Sequence, residues 1–242
     1  FEVDIEQVGL YYLATGLTGT MVFLLSGVAP MALSLFSETF SKDGLETLGK
    51  LYCKIVGFSS YLTVPIYIFC AFNSSLLINF IYGSVFEEAS LALIIFTAFA
   101  GIQTALGTNF TVSTLYVIQK PNKAICTLVE GSFLNIMLNC FLIPFFGMPG
   151  AKIATGVTMV YMVLRQLKII STYIKIAPVF PVIGQCFLYC LIASIPPLIL
   201  SGLNMGHLIT NLISYIAILA IILIYVKPFR QLGSIFNQSS SL

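Results

Sequence analysis

A chain of 242 residues with 58% hydrophobic and only 8% charged side chains cannot cover itself with polar surface as a water-soluble domain does, where about a quarter of residues are charged. Its mean hydropathy of +1.01 places it in a bilayer. The net charge of +2 comes from scattered Lys and Arg at the ends of apolar runs, with no basic block, so no nucleic-acid partner is expected.

The neutral stretches between Glu6 and Glu38, Lys54 and Glu87, and Glu88 and Lys120 hold roughly 30 residues each, enough for one tilted crossing but not two. The stretch after Lys175 is longer and is divided by the polar break 201–207. Continuous apolar runs without period-two alternation read as helices, not as a barrel. The fold class is therefore an all-α integral membrane protein of about seven spans, at 9–34, 55–82, 89–117, 124–146, 151–172, 182–203 and 208–226. When the connections are assigned alternately to the two faces, Lys152 alone among 11 basic residues falls opposite the rest. The positive-inside rule then puts the N-terminus outside and the C-terminus in the cytoplasm. The acidic start (Glu2, Asp4, Glu6) and the basic tail (Lys227, Arg230) agree. The chain begins at Phe1 without Met, and we expect an upstream half.

In chain order, the first informative segment is the connection 37–54. Asp43 and Glu46 are spaced as a capping box, and Leu45, Leu48, Leu51 and Tyr52 recur at helical spacing. This predicts an interfacial helical start leading into the second span. Pro30, Pro65 and the pair Pro196-Pro197 fall inside spans, where proline bends a helix. In the third span Thr104, Gly107, Thr108, Thr111 and Thr114 share a face that can line a wet cavity or let two helices approach. Gln103 and Asn109 point elsewhere and need partners of their own.

The fourth span carries Glu130, deep enough to need water or a partner such as Lys123. Asn135 and Asn139 share a different face with Gly131, either to line a cavity or to stitch helices together. At the cytoplasmic end of the fifth span, Arg165 and Lys168 share a face. A guanidinium there can hold a diphosphate bidentately or snorkel to headgroups. The six cysteines form no CxxC or Cys/His spacing, and Cys186 and Cys190 sit one turn apart as packing residues. With His207 as the lone histidine and no GxxxxGK[ST] loop, neither a His-based catalytic centre nor an ATPase engine is expected.

Several local patterns together resemble polysaccharide flippases of the multidrug/oligosaccharidyl-lipid/polysaccharide exporter superfamily. Val8-Gly9-Leu10-Tyr11-Tyr12-Leu13-Ala14 resembles the start of that family's eighth helix, and Ile81-Tyr82-Gly83 with Phe86-Glu87-Glu88-Ala89 its short external turn. Asn135 to Asn139, Leu142-Ile143-Pro144, Phe146-Gly147 and Gly150 to Thr155 resemble the eleventh-to-twelfth helix hairpin. The resemblance implies that residues 1–175 form the C-terminal lobe of a two-lobed, MATE-like transporter, that 176–228 add two helices, and that 229–242 is a cytoplasmic tail. It implies no enzyme. The cargo would be a polyprenyl-diphosphate-linked oligosaccharide moved across the cell membrane for surface glycan synthesis, with membrane lipids and the upstream lobe as partners. Arg165, Lys168, Gln103, Asn109 and Glu130 are the candidate substrate contacts. Family relatives also carry a sodium site, which maps onto Asn135, Asn139, the Ala151 carbonyl and Thr155. The carboxylate expected on the eleventh helix is Asn139 here. No cofactor is implied beyond Na⁺ or H⁺ coupling. A drug/cation antiporter of the same superfamily would need carboxylates in its helices, of which Glu130 alone qualifies. A membrane glycan polymerase or glycosyltransferase would need long external loops bearing charge.

Overall fold

The computed structural model describes residues 5–26, 28–202 and 207–226. Among these, the elements are α1 (Ile5–Ser26), α2 (Val28–Phe72), α3 (Ser74–Tyr82), a 3-10 turn (Ser84–Phe86), α4 (Ala89–Ala105), α5 (Thr108–Val117), α6 (Pro121–Ile170), α7 (Val179–Gly202) and α8 (Leu208–Val226), with no strand. Glu2, Asp4, Lys227, Arg230 and the tail 229–242 lie outside the described residues. The chain is an all-helical, multi-pass membrane protein. Four helical segments are apolar and long enough to cross a bilayer: Ala29–Phe72, Ala89–Val117, Pro121–Ile170 and Val179–Ile199.

Two of those segments, α2 at 45 residues and α6 at 50, exceed a single crossing, and both double back at a glycine. Gly44 has φ 77° and ψ −169°, and Gly147 has φ 59° and ψ −136°. Such positive φ values cost glycine nothing and other residues one or more kcal/mol. The reversals are visible in contacts. The rings of Phe36 and Tyr52 lie 6.0 Å apart, where a straight helix would separate those residues by about 24 Å. Gln166 Nε2 donates to Thr127 Oγ1 at 3.1 Å, where a straight helix would put about 58 Å between them. Pro144 and Pro149 bracket the second reversal. Gly150 packs there so tightly that a Cβ would collide with the Leu142 carbonyl oxygen.

The helical start expected at 43–54 is present, with Gly44 as the turning residue. After it Leu48 and Tyr52 are fully buried, so this segment enters the core at once and does not lie flat on the bilayer. Lys50 pairs with Glu46 at 2.9 Å on the open side.

The expected span 9–34 is shared between α1, which ends at Ser26, and α2, which begins at Val28, and two further expected spans are interrupted. The span 55–82 breaks at Asn73, whose buried amide donates to the Phe69 carbonyl at 3.0 Å and accepts from Asn211 Nδ2 at 2.8 Å. The span 89–117 breaks at Gly107, which takes a left-handed conformation (φ 80°). A Cβ at Gly107 would lie 2.9 Å from Val56, so the break brings the chain hard against α2. In both places a buried polar or small residue gains a tertiary contact that an uninterrupted helix would forgo.

The second arm of α2 is the hub of packing. Ser60 Oγ donates to the Ala105 carbonyl at 3.0 Å, and the Cys186 thiol donates to the Ser60 carbonyl at 3.4 Å. Tyr67 covers Gly101, and Val182 lies against Gly57. From α8, the Tyr215 hydroxyl donates to the Pro65 carbonyl at 3.0 Å, inside the proline bend. Thus α7 and α8 are fastened to α2 by small residues and local hydrogen bonds, the usual means where lipid removes the hydrophobic drive between helices.

Candidate functional site

The antiparallel arms of α6 meet along a seam that gathers an ion pair, three amides and their hydroxyl partners. Residues at reflected distances from Gly147 face one another. Farthest from the turn, Gln166 Nε2 donates to Thr127 Oγ1, and Gln166 Oε1 accepts a short hydrogen bond from Thr111 on α5. All three side chains are buried, so a single amide ties both arms to α5. One turn nearer the reversal, Arg165 Nε pairs with Glu130 Oε2 at 3.1 Å, and the Tyr161 hydroxyl donates to the same oxygen at 3.1 Å. The two charged side chains remain 40% and 38% exposed, so the pair opens on one side of the seam. Gly131 follows, closely covered by Met162. Beyond it Asn135 Nδ2 reaches Thr158 Oγ1 at 3.5 Å, and Asn139 Nδ2 donates to Asn135 Oδ1 at 2.8 Å.

An ion in hydrocarbon needs an opposite charge, and a hydrogen-bonded amide needs a partner. The reversal at Gly147 supplies both by folding α6 on itself. The partner of Glu130 is Arg165, not Lys123 as its sequence neighbourhood suggested, because the hairpin brings position 165 beside position 130. The Asn pair stitches the arms together and continues as a ladder.

Lys168 stands exposed in the last turn of α6, with its carbonyl taking a bond from the Ser171 hydroxyl at 2.7 Å. Gln103 and Asn109 are half-buried on α4 and α5, and no hydrogen bond joins either side chain to the seam among the described residues; the Gln103 carbonyl accepts from Thr108 Oγ1 at 2.8 Å. The threonine face of the third span is mostly dry. Thr104, Thr111 and Thr114 are buried, and Thr114 Oγ1 bonds back to the Phe110 carbonyl at 2.8 Å. It is a packing face against α2 and α6.

Two of the four oxygens assigned to a cation accept hydrogen bonds. Asn135 Oδ1 accepts from Asn139, and the Ala151 carbonyl accepts from Thr155 Oγ1 at 2.9 Å. Asn139 Oδ1 is buried without a hydrogen-bond partner. Thr155 Oγ1 donates without accepting, so two neutral oxygens are unengaged; with no carboxylate beside them the set is a hydrogen-bonded ladder, not a preassembled cation cage. Among the described residues, no three metal-ligating side chains cluster.

Gln166, Thr127, Thr158 and Tyr161 were not singled out from the sequence. Reflecting positions about the Pro144–Pro149 turn would have brought Thr158 opposite Asn135 and Tyr161 near Glu130, both already in view, whereas Gln166 and Thr127 fall opposite each other.

Residues 2–91 match the family described as polysaccharide biosynthesis protein. Over 202 residues the chain is 25% identical to the probable low-salt glycan biosynthesis flippase Agl15 of Haloferax volcanii, an alignment covering 83% of this chain and 41% of that protein. The chain thus spans about two-fifths of the length of this relative. No solved structure matches.

Proposed function

From the match of residues 2–91 to a polysaccharide biosynthesis family and the similarity to a glycan biosynthesis flippase, we propose that the chain is a polysaccharide flippase and forms one lobe of a transporter that moves a polyprenyl-diphosphate-linked oligosaccharide across the bilayer. The observation that carries this reading is the half-open Glu130–Arg165 pair on a membrane-long hairpin. Charges held inside a bilayer segment are costly unless they serve a path, and this pair is not sealed in the core. The proposed cargo has a polar headgroup that hydrocarbon rejects, so the protein needs no covalent chemistry, only a polar route and a means of holding the diphosphate. Arg165 engages Glu130 through Nε. In our reading its fork exchanges Glu130 for the diphosphate, while Tyr161 keeps Glu130 hydrogen-bonded. Lys168, one turn away, adds charge at the entrance. Asn135, Asn139 and Thr158 extend the polar track toward the turn.

We place the Gly44 reversal and Lys120 at the cytoplasmic face, and the Gly147 reversal outside. Cysteines introduced at Asp43 and Asn122 are then shielded from an impermeant external reagent in intact cells, and one at Gly147 is labelled. The opposite pattern overturns the orientation.

The functional test uses the full-length gene in a flippase-deficient strain, with activity normalised to membrane protein level. Arg165→Ala should lose a charge-assisted contact to the cargo, with a roughly tenfold or greater fall in substrate affinity. Arg165→Lys should recover only part, because Lys lacks the planar fork. Full activity of Arg165→Ala would sink the substrate-holding role. The drug/cation antiporter reading is less favoured, because the carboxylate it would need, Glu130, is already neutralised by Arg165.

A further inference from the structure

Away from the hairpin seam, a groove of about 870 Å³ runs between the start of the second arm of α2, the segment 173–178 and the first turns of α7. Its floor is fixed by close approaches. A Cβ at Gly49 would lie 3.3 Å from Ile174, and one at Gly57 3.2 Å from Val182. The Cys53 thiol lies 3.5 Å from the Lys175 carbonyl, which holds that segment against α2. The volume is that of a small-ligand site, not of a surface dimple.

The groove carries an uneven charge. Lys50, Lys54 and Lys175 line it against one carboxylate, Glu46, which is already paired with Lys50 at 2.9 Å. Among the described residues neither Lys54 nor Lys175 has an ion-pair partner. A fourth ammonium, Lys120, sits 5.5 Å from the centroid of the Tyr173 ring that borders the groove. The remaining wall is uncharged and largely apolar, with Gln185 and the tyrosines Tyr61 and Tyr173 as its polar members, and Phe58 and Val182 lead along the helices toward the bilayer interior. Positive charge at one end and hydrocarbon at the other is the signature of an amphiphile with an anionic head. Basic pockets between membrane helices commonly hold such lipids.

We propose that this groove is a binding site for an anionic two-chain phospholipid, with the phosphate between Lys54 and Lys175 and one acyl chain against Phe58 and Val182. The bound lipid is a resident of the surrounding membrane and not the transported cargo. The site stands on the lysines and the groove alone and does not depend on the transport reading.

The test is lipid retention by the purified full chain, read by native mass spectrometry after exposure to phosphatidylglycerol or phosphatidylcholine. Phosphatidylglycerol should be retained about tenfold over phosphatidylcholine, and about 1 M salt should erase the difference by screening the lysines. The double variant Lys54→Gln/Lys175→Gln should bind both lipids at the phosphatidylcholine level. Equal retention of the two lipids by the unaltered chain overturns the proposal, and that measurement needs no variant to fold. Displacement of phosphatidylglycerol by millimolar inorganic phosphate alone overturns it in favour of a simple anion site. Preferential displacement by a polyprenyl monophosphate overturns it in favour of a cargo site.

Discussion

Of the two helices that double back on a glycine, α2 has 61% of its most apolar stretch buried within the chain and α6 only 11%. The second arm of α2 turns Tyr52, Val56, Val64 and Tyr67 into neighbouring helices and satisfies Ser60 on backbone carbonyls. By contrast, α6 leaves Phe133 and Phe141 about two-thirds exposed (66% and 65%) and gathers its charges and amides between its own arms. The same device, a reversal at glycine, therefore serves different ends. In α2 it delivers a helix into the packing core. In α6 it pairs two helices whose polar groups satisfy one another before any third helix is added. Stability should be concentrated on the first and the polar path on the second.

The largest effect that tests this division is expected at Gly107, where α5 begins against α2. Gly107→Val forces a branched side chain into a left-handed backbone and into Val56. We expect a loss of about 2–4 kcal/mol, seen as a lower thermal midpoint of the detergent-solubilised protein. Phe133→Ala, on the exposed face of α6, should change the midpoint by less than about 0.5 kcal/mol equivalent. If the two variants are equally destabilised, the division between packing hub and open hairpin fails.

Next in size is Gln166→Leu, which removes the amide shared by Thr111 and Thr127. The two buried threonines lose a side-chain partner, although Thr127 Oγ1 keeps a bond to the Ala124 carbonyl at 2.7 Å. A loss of about 1–2 kcal/mol is expected. A variant as stable as the parent would mean that apolar packing, not this amide, ties α5 to the hairpin.

The Glu130–Arg165 pair should separate stability from activity. Because both side chains are more than a third exposed, a double-mutant cycle of Glu130→Ala and Arg165→Ala should give only weak coupling. Transport should nonetheless fall in each single variant. A large coupling with unchanged transport would reassign the pair to folding.

Much of this was legible in the sequence, and what was missed has a physical cause. Composition and charge spacing found the membrane helices, and Pro144 and Gly147 belonged to the hairpin motif through its family resemblance. Periodicity found the shared face of Thr104, Thr111 and Thr114 but could not say whether water or a helix lay against it. Burial shows the helix. The breaks at Asn73 and Gly107 were hidden because neither residue disrupts hydropathy; each is stabilised by a contact distant in sequence, with Asn211 or Val56. The ion pair was missed for the same reason. Glu130 and Arg165 are 35 residues apart and meet only after α6 folds over.

The smallest effect is expected beside the Gly44 reversal, at the pairs Glu38–Lys42 and Glu46–Lys50, with contacts of 2.7 and 2.9 Å. These residues lie at the head of the α2 hairpin, beyond the spans. The hydrogen bond from Lys42, followed by its charge, holds the Glu38 carboxyl below its usual 4.5, and Lys50 does the same to Glu46. A depressed carboxyl contributes stability above its unfolded pKa and loses it as pH falls through the folded value. The contribution is therefore intact from neutral pH down to about 5 and fades only below the ordinary carboxylate range. Lys42 is raised in turn by Glu38, so its share persists at neutral pH and is lost only in strong alkali. Both pairs are open to solvent, where ion pairs contribute little. Glu38→Gln and Glu46→Gln should accordingly leave the thermal midpoint unchanged at pH 7, and the parent should show no pH dependence from these groups between pH 7 and 5. A midpoint that falls across that interval in the parent but not in Glu38→Gln/Glu46→Gln would show that the head of the α2 hairpin is held by charge. The fully buried Leu48 and Tyr52 would then not be its main anchor, and α2 would resemble α6 more closely than its burial suggests.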